Sequence, residues 1–257
     1  MHKVDLSSKN IYTDLIIEKE NNKNKSKIID KTNNLKVQNN SNCTTIFFND
    51  ITDKDNYLKV QNTFINELNK YLKLTSKDII LIIGLGNINS TPDSLGPKVI
   101  DNILVTRYLY LLDNIDPNYS NVSKFTPNVM ANTGIESSRI IKNLIKEIKA
   151  TKVIIIDALK TNNIDRLTKT IQITNKGISP GSGINNNREE INKNNMNTEI
   201  IAVGVPTVVD IRNILNIKNN FIVTPTNIDF LIEKLSILIG NGINISLHKN
   251  FNRQNNN

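Results

Sequence analysis

Tryptophan is absent, and histidine is nearly so: His2 and His248 are the two imidazoles in 257 residues. A Ser-His-Asp or Cys-His site needs an imidazole to take the proton, and a His-rich zinc site needs several. His2 sits at the extreme N-terminus and His248 beyond the last helical pattern, so any acid or base falls to carboxylates or, failing those, to a Ser-Lys pair. With aromatics at 5%, the core must rest on Ile, Leu and Val. A single cysteine, Cys43, excludes an internal disulfide and suits a reducing compartment. The longest apolar runs fall well short of the ~20 residues of a membrane span. "MHKVDLSSKN" lacks the apolar centre of a signal peptide. The expectation is a soluble, cytoplasmic protein without a membrane partner.

What is abundant is lysine, asparagine and isoleucine. The formal net charge is +8, yet the sequence holds no run of five or six like charges. No RNP-like or Cys/His finger pattern accompanies it, so no direct contact with nucleic acid is expected.

Residues 19–43 are polar and without sustained periodicity, which predicts a mobile N-terminal arm over 15–43. Order begins at "TTIFF". "FINELNKYL" (64–72) has helical spacing, and "DIILIIG" (78–84) is a short apolar run of the kind found in strands buried on both faces. Helices are predicted over 95–112, with Pro97 in the first turn, and over 136–150. Further strands are predicted at 152–159, 170–174 (half-exposed) and 199–206. A short strand and a helix starting near Pro225 follow, over 220–243. Alternating strands and helices imply one α/β domain over 44–248. Its sheet is mostly parallel or mixed, with helices on both faces, followed by a disordered tail over 249–257.

"LIIGLGNINSTPDSLGP" (81–97) carries Gly84 and Gly86 at the first two glycines of a dinucleotide fingerprint, but Asn89 stands at the third. The Gly-Lys-Ser/Thr of a phosphate loop is missing. A glycine turn still lets backbone approach a ligand closely. Ligands of open α/β sheets bind at strand ends, and two carboxylates sit there: Asp93 after the 79–83 strand and Asp157 closing "VIIID". A bland reading exists for each. Asp93 could cap the helix beginning at Leu95, and Asp157 could accept backbone N–H bonds. Two such acids could instead share a proton and divide the roles of base and acid. Lesser candidates are Glu136, expected in a helix's first turn, and Asp210, expected as a helix cap. Ser182, in a Gly-rich loop, could pair with Lys160, while Thr133 and Gly134 mark a tight turn.

Several stretches occur together in one order: "GLGN…TPDSLGP", "TGIESSRIIK", "IIIDALKTNNIDRLTKTIQITNKGISPGSG", "AVGVPTVVD" and "TPTNIDFLIEKLSILIGNGINISLH". Across roughly residues 78–248 the chain closely resembles the germination proteases of spore-forming bacteria, endopeptidases that degrade small acid-soluble spore proteins. The resemblance implies a fold similar to that of the hydrogenase-maturation endopeptidases. It also implies an atypical aspartic-type mechanism that needs no metal or other cofactor, with catalytic carboxylates at the positions of Asp93 and Asp157. A homotetrameric zymogen in the cytoplasm of the forespore or spore core is implied as well. "YTDLIIE" (12–18) looks like the family's processing site, similar to the Thr-Glu-Phe/Ile-Ala cut in its substrates. Cleavage between Asp14 and Leu15 would remove a propeptide of residues 1–14. The chain departs from the family pattern in three places. "NINSTPD" lacks a Trp that relatives often have, Ser179 stands where a His is common, and the segment after Asp210 is short where many relatives carry an insertion.

Overall fold

The computed structural model describes residues 25–40, 43–112, 116–180, 189–211, 221–249 and 251. In chain order its strands are β1 (Lys25–Asp30), β2 (Leu35–Asn39), β3 (Thr44–Phe47), β4 (Ile79–Gly84) and β5 (Asn121–Phe125). They continue with β6 (Lys152–Thr161), β7 (Thr170–Thr174), β8 (Glu199–Asp210) and β9 (Ile222–Val223). The helices are α1 (Lys54–Leu72), α2 (Leu95–Asp101), α3 (Arg107–Leu111), α4 (Met130–Thr133), α5 (Ser137–Ile148), α6 (Lys193–Met196) and α7 (Ile228–Leu247).

The strands form one mixed sheet in the order β1-β2-β3-β7-β8-β6-β4-β5, with β9 added beside β8. β8, β6, β4 and β5 are mutually parallel, and the strands on the far side of β8 pair antiparallel. The apolar runs explain the layering, because successive strand residues point to opposite faces. Ile80 and Ile82 of β4 join Ile154 and Ile156 of β6 in the core under α1, α2 and α7. Leu81 and Ile83 join Val153 and Ile155 in a second core against Ile141 and Ile145 of α5. Each fully buried Ile or Leu contributes about 1.5–3 kcal/mol. The α/β class with helices on both faces is therefore as expected.

Several boundaries differ from the sequence reading. Residues 25–39, expected within a mobile arm, form the β1–β2 hairpin. Leu35 and Val37 are buried by an alternation too short to stand out among lysines and asparagines. The β1–β3 meander makes β7 an internal strand, buried at every residue rather than half-exposed. The helix expected over 95–112 breaks after Asp101. Asn244 of α7 accepts from the Leu104 N–H and donates to the Asn102 carbonyl, while the Thr106 hydroxyl accepts from the Val122 N–H. The Asn244 amide thus satisfies two backbone groups that a continuous helix would have used internally, and Thr106 ties the broken segment to β5. β8 extends four residues past the predicted end, to Asp210.

α7 is the described helix long and apolar enough to cross a membrane. It is instead packed between α1 and α2, with twelve of its residues buried. His248 caps its C-terminus, 1% exposed. Nδ1 accepts from the Ser120 N–H at 3.3 Å, which puts the ring proton on Nε2, and the ring lies beside Tyr119. Of the expected C-terminal tail, Lys249 is fixed by an N–H bond to the Asn118 carbonyl. Residues 250 and 252–257 lie outside the described residues, as do Asp14, Leu15, His2 and Ser182.

Candidate active site

A cleft of about 360 Å³ opens at the C-terminal ends of the parallel strands. Asp157 to Lys160 of β6 and Thr207 and Val208 of β8 line it, together with Ser90, Pro92 and Asp93 from the loop after β4. Asn128, Val129 and Ser137 close it from the α4–α5 region, and Ile222 of β9 adds an apolar edge. Asp93 and Asp157, 64 residues apart in sequence, thus share one cavity. Asp157 is 5% exposed, whereas Asp93 is half-buried.

The glycines of the β4–α2 connection explain how Asp93 gets there, and their role differs from the ligand approach expected. A Cβ on Gly84 would lie 2.3 Å from the Gly96 carbonyl oxygen, and one on Gly96 would lie 2.1 Å from that of Leu85. The start of α2 therefore rests directly on the strand end. Gly86 has φ +116°, and a Cβ there would meet the Asp93 carbonyl oxygen at 2.0 Å. The same oxygen accepts the Asn87 N–H at 3.1 Å. The glycine turn closes upon Asp93's own backbone and so fixes where that residue sits.

Asp93 belongs to a 3₁₀ turn, Thr91–Asp93, and the N-cap of α2 is Ser94, so the helix-cap reading of Asp93 is replaced. The Ser94 hydroxyl donates to the Thr91 carbonyl at 2.8 Å, tightening the turn. Asp157 does not close its strand, because β6 continues to Thr161. Its Oδ1 accepts the Ala158 N–H at 2.9 Å, the local bond that the bland reading anticipated.

Residues 212–220, where a helix capped by Asp210 was expected, lie outside the described residues. Asp210 ends β8, and its Oδ2 lies 2.9 Å from Lys160 Nζ, with both side chains buried. A β-bulge between Leu159 and Lys160 sets Lys160 opposite Val208, two residues from Asp210. Sequence reasoning missed this pair because nothing local links positions 50 residues apart. An ammonium held by a carboxylate has no lone pair to offer as a base, which weighs against a Ser182–Lys160 dyad. Glu136 occupies the N-cap position of α5 rather than its first turn. Its side chain makes no cap bond and accepts the Glu189 N–H at 2.9 Å. Thr133 and Gly134 form the expected turn, with Gly134 at φ +70°. His248 does not line the cleft.

Two acids of unequal exposure, with a neutralised cation beside them, are able to divide the base and acid roles toward a water molecule. Among the described residues, no three His, Cys, Asp or Glu side chains gather where they could hold a metal ion.

Comparison with known proteins agrees with the sequence resemblance. The family model described as germination protease matches residues 3–218. A germination protease of Clostridium perfringens (strain SM101 / Type A) is 38% identical over 228 residues, covering 72% of this chain and 70% of the relative. One from Bacillus subtilis (strain 168) is 48% identical over 152 residues, covering 57% of this chain and 41% of the relative. A solved NiFe hydrogenase maturation protease, HycI from Thermococcus kodakarensis KOD1, overlays with a TM-score of 0.41 at 16% identity. That overlay covers 69% of this chain and 98% of the other.

Proposed function

Because the chain belongs to the germination protease family, we propose that it is an endopeptidase in which Asp93 and Asp157 together activate water against a peptide bond. The observation that carries the reading is their shared cleft. The ionised acid takes a proton from water as its oxygen adds to the carbonyl carbon. The protonated acid donates to the carbonyl oxygen. As the C–N bond of the tetrahedral intermediate breaks, the leaving amine takes up the first acid's proton, and the second acid recovers its own from the re-forming carboxyl group. Protons and charge then balance over the cycle. Lys160, its charge balanced by Asp210, lines the same cleft.

The substrates are small acid-soluble spore proteins, cut at germination. The protein is made as a homotetrameric zymogen in the cytoplasm of the forespore and processes itself between Asp14 and Leu15. The motif resemblance supports these points. An extended segment such as "YTDLIIE" suits a cleft beside strand ends, where it can lie as an added strand.

The test is cleavage of a peptide containing Thr-Glu-Ile-Ala, followed by mass spectrometry. Asp93→Asn and Asp157→Asn should melt like the parent and lose the cut. Full activity in either variant removes that residue from the mechanism. If the parent makes no cut even after removal of residues 1–14, the chain is a binding module instead.

A further inference from the structure

The bulge that brings Lys160 to Asp210 also decides what one end of the cleft is made of. Across it, β6 and β8 pair Leu159 with Pro206 and then Lys160 with Val208, so Thr207 is the extra residue. Two residues further along β8, Asp210 pairs with Ile222 of β9. Paired residues, and residues two apart along a strand, present their side chains to one face of a sheet. Lys160, Val208 and Ile222 therefore look the same way, and all three line the cavity that holds Asp93 and Asp157. The sheet order sets Asp157 of β6 between the β4 loop that carries Asp93 and the β8–β9 end that carries Val208 and Ile222.

That β8–β9 end is apolar and only partly covered. Val208 is half-buried, and Ile222 is 42% exposed although it faces a cavity. Its neighbours Phe221 and Val223 are exposed as well. Edge strands are ordinarily blunted by lysine, proline or a bulge, and β9, an Ile-Val pair, has none of these. Lys160 brings no net charge, because Asp210 balances it. Such a surface gains by covering a branched apolar side chain and loses by desolvating a charged one.

Resting on the reading of this cleft as that of an endopeptidase, we propose that Ile222, backed by Val208, is the specificity-determining surface for the substrate residue that follows the cleaved bond. That residue is a bulky apolar one. The chain's own "YTDLIIE" supplies the direction: of the two residues flanking the expected cut, Asp14 is charged and Leu15 is apolar, with Ile16 and Ile17 after it.

The experiment measures kcat/KM of the full chain, Ile222→Ser and Ile222→Asp on peptides that differ after the bond: Thr-Glu-Ile-Ala, Thr-Glu-Ala-Ala and Thr-Glu-Lys-Ala. The parent should favour the Ile peptide over the Ala peptide by roughly 50-fold, from three extra buried carbons. Ile222→Ser should reduce that ratio by about fivefold or more, and Ile222→Asp should move the Lys-to-Ile ratio about tenfold toward lysine. Because the side chain is exposed, both variants should melt and sediment like the parent. Unmoved ratios in the folded variants, or equal losses on all three peptides, overturn the assignment. A change in sedimentation that accompanies the loss also overturns it, since β9 would then be covered by a second copy. So does a changed preference confined to the residue before the bond, read with Thr-Ala-Ile-Ala. If the parent cuts Thr-Glu-Ile-Ala while the variants keep its preferences, this inference alone fails. No cut by the parent, with or without residues 1–14, removes the reading beneath it.

Discussion

Lys160 Nζ lies 2.9 Å from Asp210 Oδ2, and each side chain is less than a tenth exposed. Such a pair stabilises little by itself, but breaking it leaves one charge buried without compensation. Asp210→Ala should lower unfolding stability by about 3–5 kcal/mol in urea titrations. The Lys160→Met, Asp210→Leu double variant should recover most of that loss. Equal losses in the single and double variants would show that the charges are not the cause.

Gly86 and Gly134 both have positive φ, yet they predict different outcomes. A Cβ at Gly134 meets nothing within 4 Å, so Gly134→Ala should cost about 1 kcal/mol from backbone conformation alone. Gly86→Ala meets the Asp93 carbonyl oxygen and must push Asp93 away. A misplacement near 1 Å typically costs on the order of 100-fold in rate, so peptide cleavage by Gly86→Ala should fall by about that factor while Gly134→Ala stays active.

His248 predicts how stability responds to acid. Burial drives its pKa from 6.5 down to about 4, and the nearby Leu104 carbonyl opposes this only in part, since Nε2 makes no bond within normal limits. The unfolded chain takes up this proton near pH 6.5 and the folded chain only near 4. The contribution is therefore complete above pH 6.5 and is lost as pH falls toward 4, reaching about 3 kcal/mol. Urea midpoints of the parent minus those of His248→Asn should decline across that window. A flat difference would contradict the buried neutral ring.

Turnover should be unchanged in excess chelator. A loss restored by one added divalent metal would replace the two-carboxylate reading with a metal-assisted one.

Protein matured at mildly acidic pH should begin at Leu15 by N-terminal sequencing, and Asp157→Asn should keep its original terminus. A new terminus elsewhere misplaces the processing site.

The parallel centre of the sheet was legible because β4, β6 and β8 each carry a short apolar run rich in Ile and Val, of the kind expected of strands buried on both faces. The meeting of Asp93 and Asp157 was legible for a related reason, since the ends of adjacent parallel strands converge. What stayed hidden depends on partners remote in sequence. Asn244 ends a helix that Asn102 could have continued, and a bulge brings Lys160 to Asp210. Leu35 and Val37 acquire a core only once β3 pairs with β7.

The β1–β3 meander also sets a tether length. Lys25, the first residue of β1, shares a row with Asn39, Thr44, Ile173, Val203 and Ile156, the last being the neighbour of Asp157. Five lateral steps make that separation roughly 24 Å, while the ten peptide units from Leu15 to Lys25 can stretch to about 33 Å. A bond before Leu15 is therefore within range of its own molecule's cleft, and processing that proceeds at the same fractional rate on dilution is sterically allowed.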